Sequence, residues 1–78
     1  MTKREKEIAA LKKYVEVNVI TINEAREKLG ESRIDNPIAD QLLHYTKEFG
    51  WRHFPGGEPV RGEVQKLLPK AFDLVTEQ

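Results

Sequence analysis

The chain contains no cysteine, so neither a disulfide nor a thiolate metal site can supplement its core, and no thiol nucleophile exists. Its one serine, Ser32, lacks the Gly-x-Ser-x-Gly surroundings of a nucleophile elbow. No Gly-Lys-Ser/Thr sequence accompanies its glycines, which excludes an NTPase phosphate loop. Long apolar runs are missing too: pairs such as Val19-Ile20 and Leu67-Leu68 are far too short to span a bilayer. The basic N-terminus is not followed by the apolar stretch of a signal peptide, so a cytoplasmic protein without membrane contact is expected. An excess of either charge is also absent, since 13 Lys and Arg balance 13 Asp and Glu. That balance argues against a strongly electrostatic nucleic-acid binder in bulk.

The chain has 78 residues, enough for one domain over 1–78, with 1–5 and 76–78 expected to fray. A domain of this size buries only roughly 60% of the surface that its unfolded chain exposes. A catalytic pocket would compete with the core for the same few apolar side chains, and no catalytic role is expected. His44 and His53 are nine residues apart with no carboxylate at ligand spacing, so no metal is expected, nor a cofactor or a small-molecule substrate. Charge is nevertheless unevenly spread. Residues 1–13 hold five Lys/Arg and two Glu, 14–50 hold four against seven, and 51–70 hold four against two.

Helical periodicity begins at once. Ile8, Leu11, Val15 and Val19 recur at helical spacing from Lys3 to about Glu16, which predicts an amphipathic helix. From Val15 to Thr21 the pattern alternates, as in a short strand or extended turn. Thr21 and Glu24 form a capping box, Ile22, Ala25 and Leu29 share one apolar face, and Gly30 suits a left-handed stop, so a second, short helix is expected. Asn36-Pro37 reads as the start of a third helix running to Phe49 and Gly50. Ile38, Leu42, Tyr45 and Phe49 would form its core stripe, with Asp40, Leu43, His44 and Lys47 on the outer side. Trp51–Phe54 then reads as a short β-run, 55–59 as a turn, and Val60 onward as a return strand or a helix start. Val64, Leu67 and Leu68 support a helical turn that Pro69 interrupts, and Ala71, Phe72 and Val75 would close the core. Tyr14 and Tyr45 are read as core with a wet hydroxyl, and Trp51 as a core or hinge aromatic against Phe49 and Phe72.

A helix, a short helix, a longer one and a Gly-rich hairpin give the order of a winged helix-turn-helix. "TINEAREKLGESR" (21–33) resembles the opening of small excisionase and MerR-type DNA-binding domains, and "FGWRHFPGGEPVRGEVQKLL" (49–68) resembles their wing. The passage into "GWRHF" is also similar to the winged helix that terminates some phage and mobile-element primase-helicases. A competing resemblance is that of "VITINEAREKLG" followed by "IDNPIAD" to a C-terminal segment of phage portal proteins, where it serves assembly. The sixteen residues between Arg33 and Gly50 exceed the excisionase pattern, and Asp40 and Glu48 would repel phosphates on the same surface. The fold class expected is therefore α+β, mostly helical, a winged helix-turn-helix with three to four helices and a small β-hairpin wing. The resemblance to excisionase-like domains implies double-stranded DNA as partner and a regulatory, excisionase-like or replication-accessory role. In that geometry Arg33 would touch a phosphate, His44 and Lys47 would meet base edges or backbone, Arg52, His53 and Arg61 would grip phosphates from the wing, and Lys66 would assist. The alternative is a small phage-encoded protein-interaction module, an inhibitor or assembly component, using Leu43, Trp51 and the 55–61 turn.

Overall fold

The structure, a computed structural model, describes residues 2–75; Met1 and 76–78, expected to fray, lie outside the described residues. The first helix, α1 (Lys3–Glu16), starts at a capping box: Thr2 Oγ1 accepts from the Glu5 amide at 3.1 Å, and Glu5 Oε1 accepts from the Thr2 amide at 3.0 Å. Its Ile8 and Val15 are fully buried and Leu11 packs beside them. The alternating stretch after it is an extended turn: Val17 makes a single antiparallel bridge to His44, and Asn18 takes a φ of 57°, in the left-handed region that Asn tolerates. The second helix, α2 (Ile22–Lys28), carries the expected capping box on Thr21 and Glu24. Ile22, Ala25 and Leu29 are buried as one face, and Gly30, at φ 79°, ends it.

Beyond Gly30 the chain departs from the expected long third helix. Asn36 does cap, its Oδ1 accepting from the Ile38 amide at 2.9 Å, and Pro37 does occupy the first helical position. The helix so started lasts a single 3-10 turn, Pro37–Asp40, and Gln41 is already extended. Residues 43–46 form strand β1 (Leu43–Thr46), paired antiparallel with β2 (Gly50–His53) in the register Leu43 to His53, His44 to Arg52, Tyr45 to Trp51 and Thr46 to Gly50. The physical reason is pairing across the turn. Thr46 Oγ1 accepts from the Phe49 amide at 3.1 Å and Gly50 sits at φ 72°, so the chain reverses where a helix was expected to run on. Tyr45–Trp51 then becomes a cross-strand aromatic pair, with centroids 5.1 Å apart.

The expected helical stripe consequently splits. Leu43, placed on the outer side by helical spacing, is buried at 1% exposure, whereas Phe49, placed in the core, is 61% exposed; Tyr14 and Tyr45 are exposed as well. The 55–59 turn does reverse the chain, through a cis Phe54–Pro55 peptide, but the return strand shrinks to one bridge between Arg52 and Pro59, reinforced by the Val60 amide on the Trp51 carbonyl at 3.0 Å. Helix α3 (Val64–Leu67) stops before Pro69, and a second 3-10 turn, Lys70–Leu74, brings Phe72 and Val75 into the core against α1. The described residues thus form a small α+β unit of three α-helices, two 3-10 turns and one antiparallel hairpin. Ile8, Val15, Ile22, Ala39, Leu43, Val64 and Phe72 make up most of the apolar interior.

Candidate functional site

The seven cationic or imidazole side chains expected to meet DNA do not share one surface role. Arg33 is held by Glu27 and by Asp40, the latter at 2.9 Å, and its pKa is raised first by the Glu27 hydrogen bond and then by the charges of Glu27 and Asp40. It fastens α2 to the first 3-10 turn, a junction whose other side is Asn23. That buried amide donates to the Ile34 carbonyl at 3.0 Å and to Asp40 Oδ1 at 2.8 Å, and accepts from the Ile34 amide at 2.8 Å. His44, half-buried on β1, receives the Asn18 amide group on Nδ1 at 3.3 Å. Lys66 pairs with Glu63 at 2.9 Å across one exposed turn of α3.

Arg52 turns back into the hairpin. Its Nη1 donates to the Gly57 carbonyl at 2.7 Å and its guanidinium lies 4.8 Å from the centroid of the Phe49 ring. That placement gives one guanidinium N–H a carbonyl partner, leaves the buried Nε without one, and sets the cation over an exposed aromatic. Lys47, at the β1–β2 turn, and Arg61, after the 55–59 turn, are exposed, and neither has an ion-pair partner among the described residues. His53 is half-buried at the end of β2, where its backbone joins the 55–59 turn through the Glu58 carbonyl and the Gly57 amide. The seven residues are therefore split between the α2 junction, the hairpin and α3.

It is aromatic surface that gathers on the hairpin. Phe49 and Phe54 are exposed, Tyr45 is partly so, and Trp51 is half-buried, packed against the core and tilted on Tyr45. Trp51 thus borders both the interior and solvent, as a hinge aromatic would, though the charge over Phe49 is Arg52 rather than a further ring. Leu43, expected as a contact for a partner protein, is excluded from that role by its burial. Helical spacing placed Phe49 in a core stripe, whereas its position between Lys47-Glu48 and Gly50, the polar and Gly-bearing setting of a turn, was the signal that it faces solvent.

Two clefts flank Trp51. One, of about 370 Å³, lies between α1, the hairpin and the C-terminal segment, and carries mixed charge from Lys12, Glu16, Lys66, Lys70 and Asp73 beside Tyr45 and Trp51. The other, of about 500 Å³, is an open groove bounded by Phe49, Trp51, Pro59, Val60, Val64 and Glu63. Among the described residues no cluster of three His, Asp or Glu side chains is arranged to hold a metal ion, and no helix is long and apolar enough to cross a membrane. No family model, curated protein or solved structure matches the chain.

Proposed function

We propose that the protein is a small interaction module that binds another protein through its hairpin. Its resemblance to a portal segment implies assembly, so it is read as a cytoplasmic assembly component of phage or mobile-element origin, with an inhibitor as the other form such a module could take. The observation that carries this reading is Phe49: 61% exposed at the β1–β2 turn, with the Arg52 guanidinium 4.8 Å from its ring centroid. An exposed aromatic at a hairpin turn offers a large apolar area at the low entropy cost of two side-chain torsions, which suits an anchor for a partner. Arg33, Arg52 and Lys66, three of the expected phosphate contacts, have charged or carbonyl partners within the chain, in agreement with the neutral overall charge.

A second reading, a winged helix-turn-helix that binds double-stranded DNA, is favoured by Lys47 and Arg61, both exposed near the hairpin turns. Its cost is that residues 43–46, which would lie in a recognition helix, form a strand instead. One pair of measurements separates the readings. Anisotropy of a labelled duplex titrated with the protein at about 50 mM and about 200 mM salt should show no binding at either concentration; binding that falls steeply with salt supports the DNA reading instead. In parallel, a photo-cross-linking residue placed at Phe49 or Phe54 should capture a protein partner in the host cell, while the same group at Lys28, exposed on α2, should not. Equal capture from all three positions would sink the interaction reading.

A further inference from the structure

We infer that the C-terminal arm, residues 64–75, is exchangeable: a second copy of the chain docks its own arm on α1 and the end of α2, giving an arm-swapped dimer. This goes beyond the hairpin reading and does not rest on it. The occupant of the surface is on view, because the chain fills it with its own residues. Val64, Pro69, Phe72 and Val75 are buried, and the second 3-10 turn packs against α1. A second copy offers the identical segment, so the fit needs no new complementarity.

The bonding of the arm resembles that of a bound ligand. Its turns close internally: the Leu68 amide donates to the Val64 carbonyl at 3.2 Å, that of Phe72 to Pro69 at 3.1 Å, and that of Val75 to Phe72 at 3.2 Å. Two side chains of the body hold its backbone. The Glu31 carboxylate accepts from the Lys70 and Ala71 amides, and Arg26 donates to the Leu67 and Leu68 carbonyls at 3.3 and 3.5 Å. Arg26 and Glu31 also pair with each other at 3.6 Å. Because the arm is one helical turn followed by a 3-10 turn, exchange remakes side-chain contacts and not a strand ladder.

The connector supplies the hinge. Arg61, Gly62 and Glu63 are exposed, Gly62 sits at φ 110°, and α3 starts at Glu63 without a side-chain cap. Upstream the Val60 amide is tied to the Trp51 carbonyl at 3.0 Å, so the bend falls on 61–63. A connector this short limits how the arm settles on its own body, the setting that favours exchange. The swapped dimer keeps the contacts of the closed monomer, and opening one arm disrupts only part of a small core.

Sedimentation velocity of the full chain, refolded from urea, tests this without any substitution. Dimer is expected at about 1 mM and monomer at about 10 µM, since a tethered arm competes at an effective concentration on the millimolar scale. Inserting Gly-Ser-Gly after Gly62 relaxes the connector and should return the concentrated sample to monomer. A dimer formed through the exposed Phe49 and Phe54 would not respond to that insertion. Energy transfer then locates the arm. Trp51 is the single tryptophan and lines the same cleft as Asp73 and Val75, and the chain lacks cysteine, so a dansyl group on Leu74→Cys marks the exposed end of the arm alone. A labelled chain that also carries Trp51→Phe is co-refolded with the parent chain. The parent's Trp51 emission should fall as dansyl emission rises, and the Gly-Ser-Gly insertion should abolish the transfer. Monomer alone at about 1 mM overturns the inference. So does a dimer that forms without transfer, or one that the insertion leaves unchanged.

Discussion

Asn23 shows how much one side chain can decide. It is 1% exposed, and its three hydrogen bonds close the loop between Gly30 and Pro37 onto α2. Replacing it with alanine orphans the Ile34 amide, while the Ile34 carbonyl keeps the Asn36 amide at 2.9 Å, and one part-buried group so orphaned costs about 1–3 kcal/mol. We expect Asn23→Ala to lower the unfolding free energy by about 1–3 kcal/mol in urea titrations, with an unchanged denaturant slope. Arg33, on the exposed side of the same junction, should matter far less, because ion pairs between solvated side chains contribute little. Glu5 offers a second test at this scale. The Thr2 amide, then the Thr2 hydroxyl, hold its carboxyl below the usual carboxylate value. Because the folded value is the lower one, its contribution is present above the ordinary value of 4.5 and is lost as pH falls through the depressed one. Thr2→Ala should raise the Glu5 titration midpoint partway back, observable by NMR, with faster amide exchange confined to the first turn of α1.

Elements differ in how far the sequence announces them, and the difference lies in where their stabilising contacts are made. α1 and α2 are legible because their signals are local: helical spacing of Ile8, Leu11 and Val15, the Thr21–Glu24 box, and Gly30 as a stop. The second 3-10 turn is legible through Phe72 and Val75, which are buried as expected. Half of the hairpin is legible too, since the β-run expected over Trp51–Phe54 is β2; β1 is not, because Ile38, Leu42, Tyr45 and Phe49 fall at helical spacing by coincidence, whereas the pairing of Tyr45 with Trp51 requires a partner strand that no local rule supplies. The candidate site inherits that error. The basic residues are identifiable in sequence, but their internal partners are not, and periodicity assigns the exposed Phe49 to a helix face that does not form. Glu31 is another non-local contact invisible in sequence: its two carboxylate oxygens accept from the Lys70 amide at 2.9 Å and the Ala71 amide at 3.0 Å, capping the second 3-10 turn from the end of α2. Arg26 adds to that clamp, donating to the Ser32 carbonyl and, at 3.3 Å, to the Leu67 carbonyl. Removing the cap should cost about 1–2 kcal/mol. In Glu31→Ala the Lys70 and Ala71 amides should exchange much faster in hydrogen-exchange NMR, while the α1 amides around Ile8 stay protected. Equal acceleration throughout would show that Glu31 supports the whole fold and not this one turn.

For the molecule as a whole, a small core makes stability depend on few residues. The buried apolar set is ten side chains, and no cysteine or clustered metal ligand set supplements them among the described residues. Domains of this class stand roughly 5 kcal/mol above unfolding at the low end, so a single large cavity can remove most of that margin. Phe72 is the one aromatic among those ten, and it seals the open side of α1 next to Val75. Truncating it costs about 3–5 kcal/mol through lost transfer energy and an unfilled cavity. Phe72→Ala should therefore unfold partially at room temperature, read as loss of cooperativity in thermal melts followed by circular dichroism. Phe49→Ala, which deletes a ring of the same type from the surface, should leave the melt within about 0.5 kcal/mol of the parent. The contrast tests the central correction made by the structure. Two phenylalanines that sequence periodicity places in one core behave oppositely, because the reversal at Gly50 sends Phe49 to solvent while the second 3-10 turn carries Phe72 inward. Comparable destabilisation by the two substitutions would restore the long third helix and remove the hairpin on which the proposed binding surface depends.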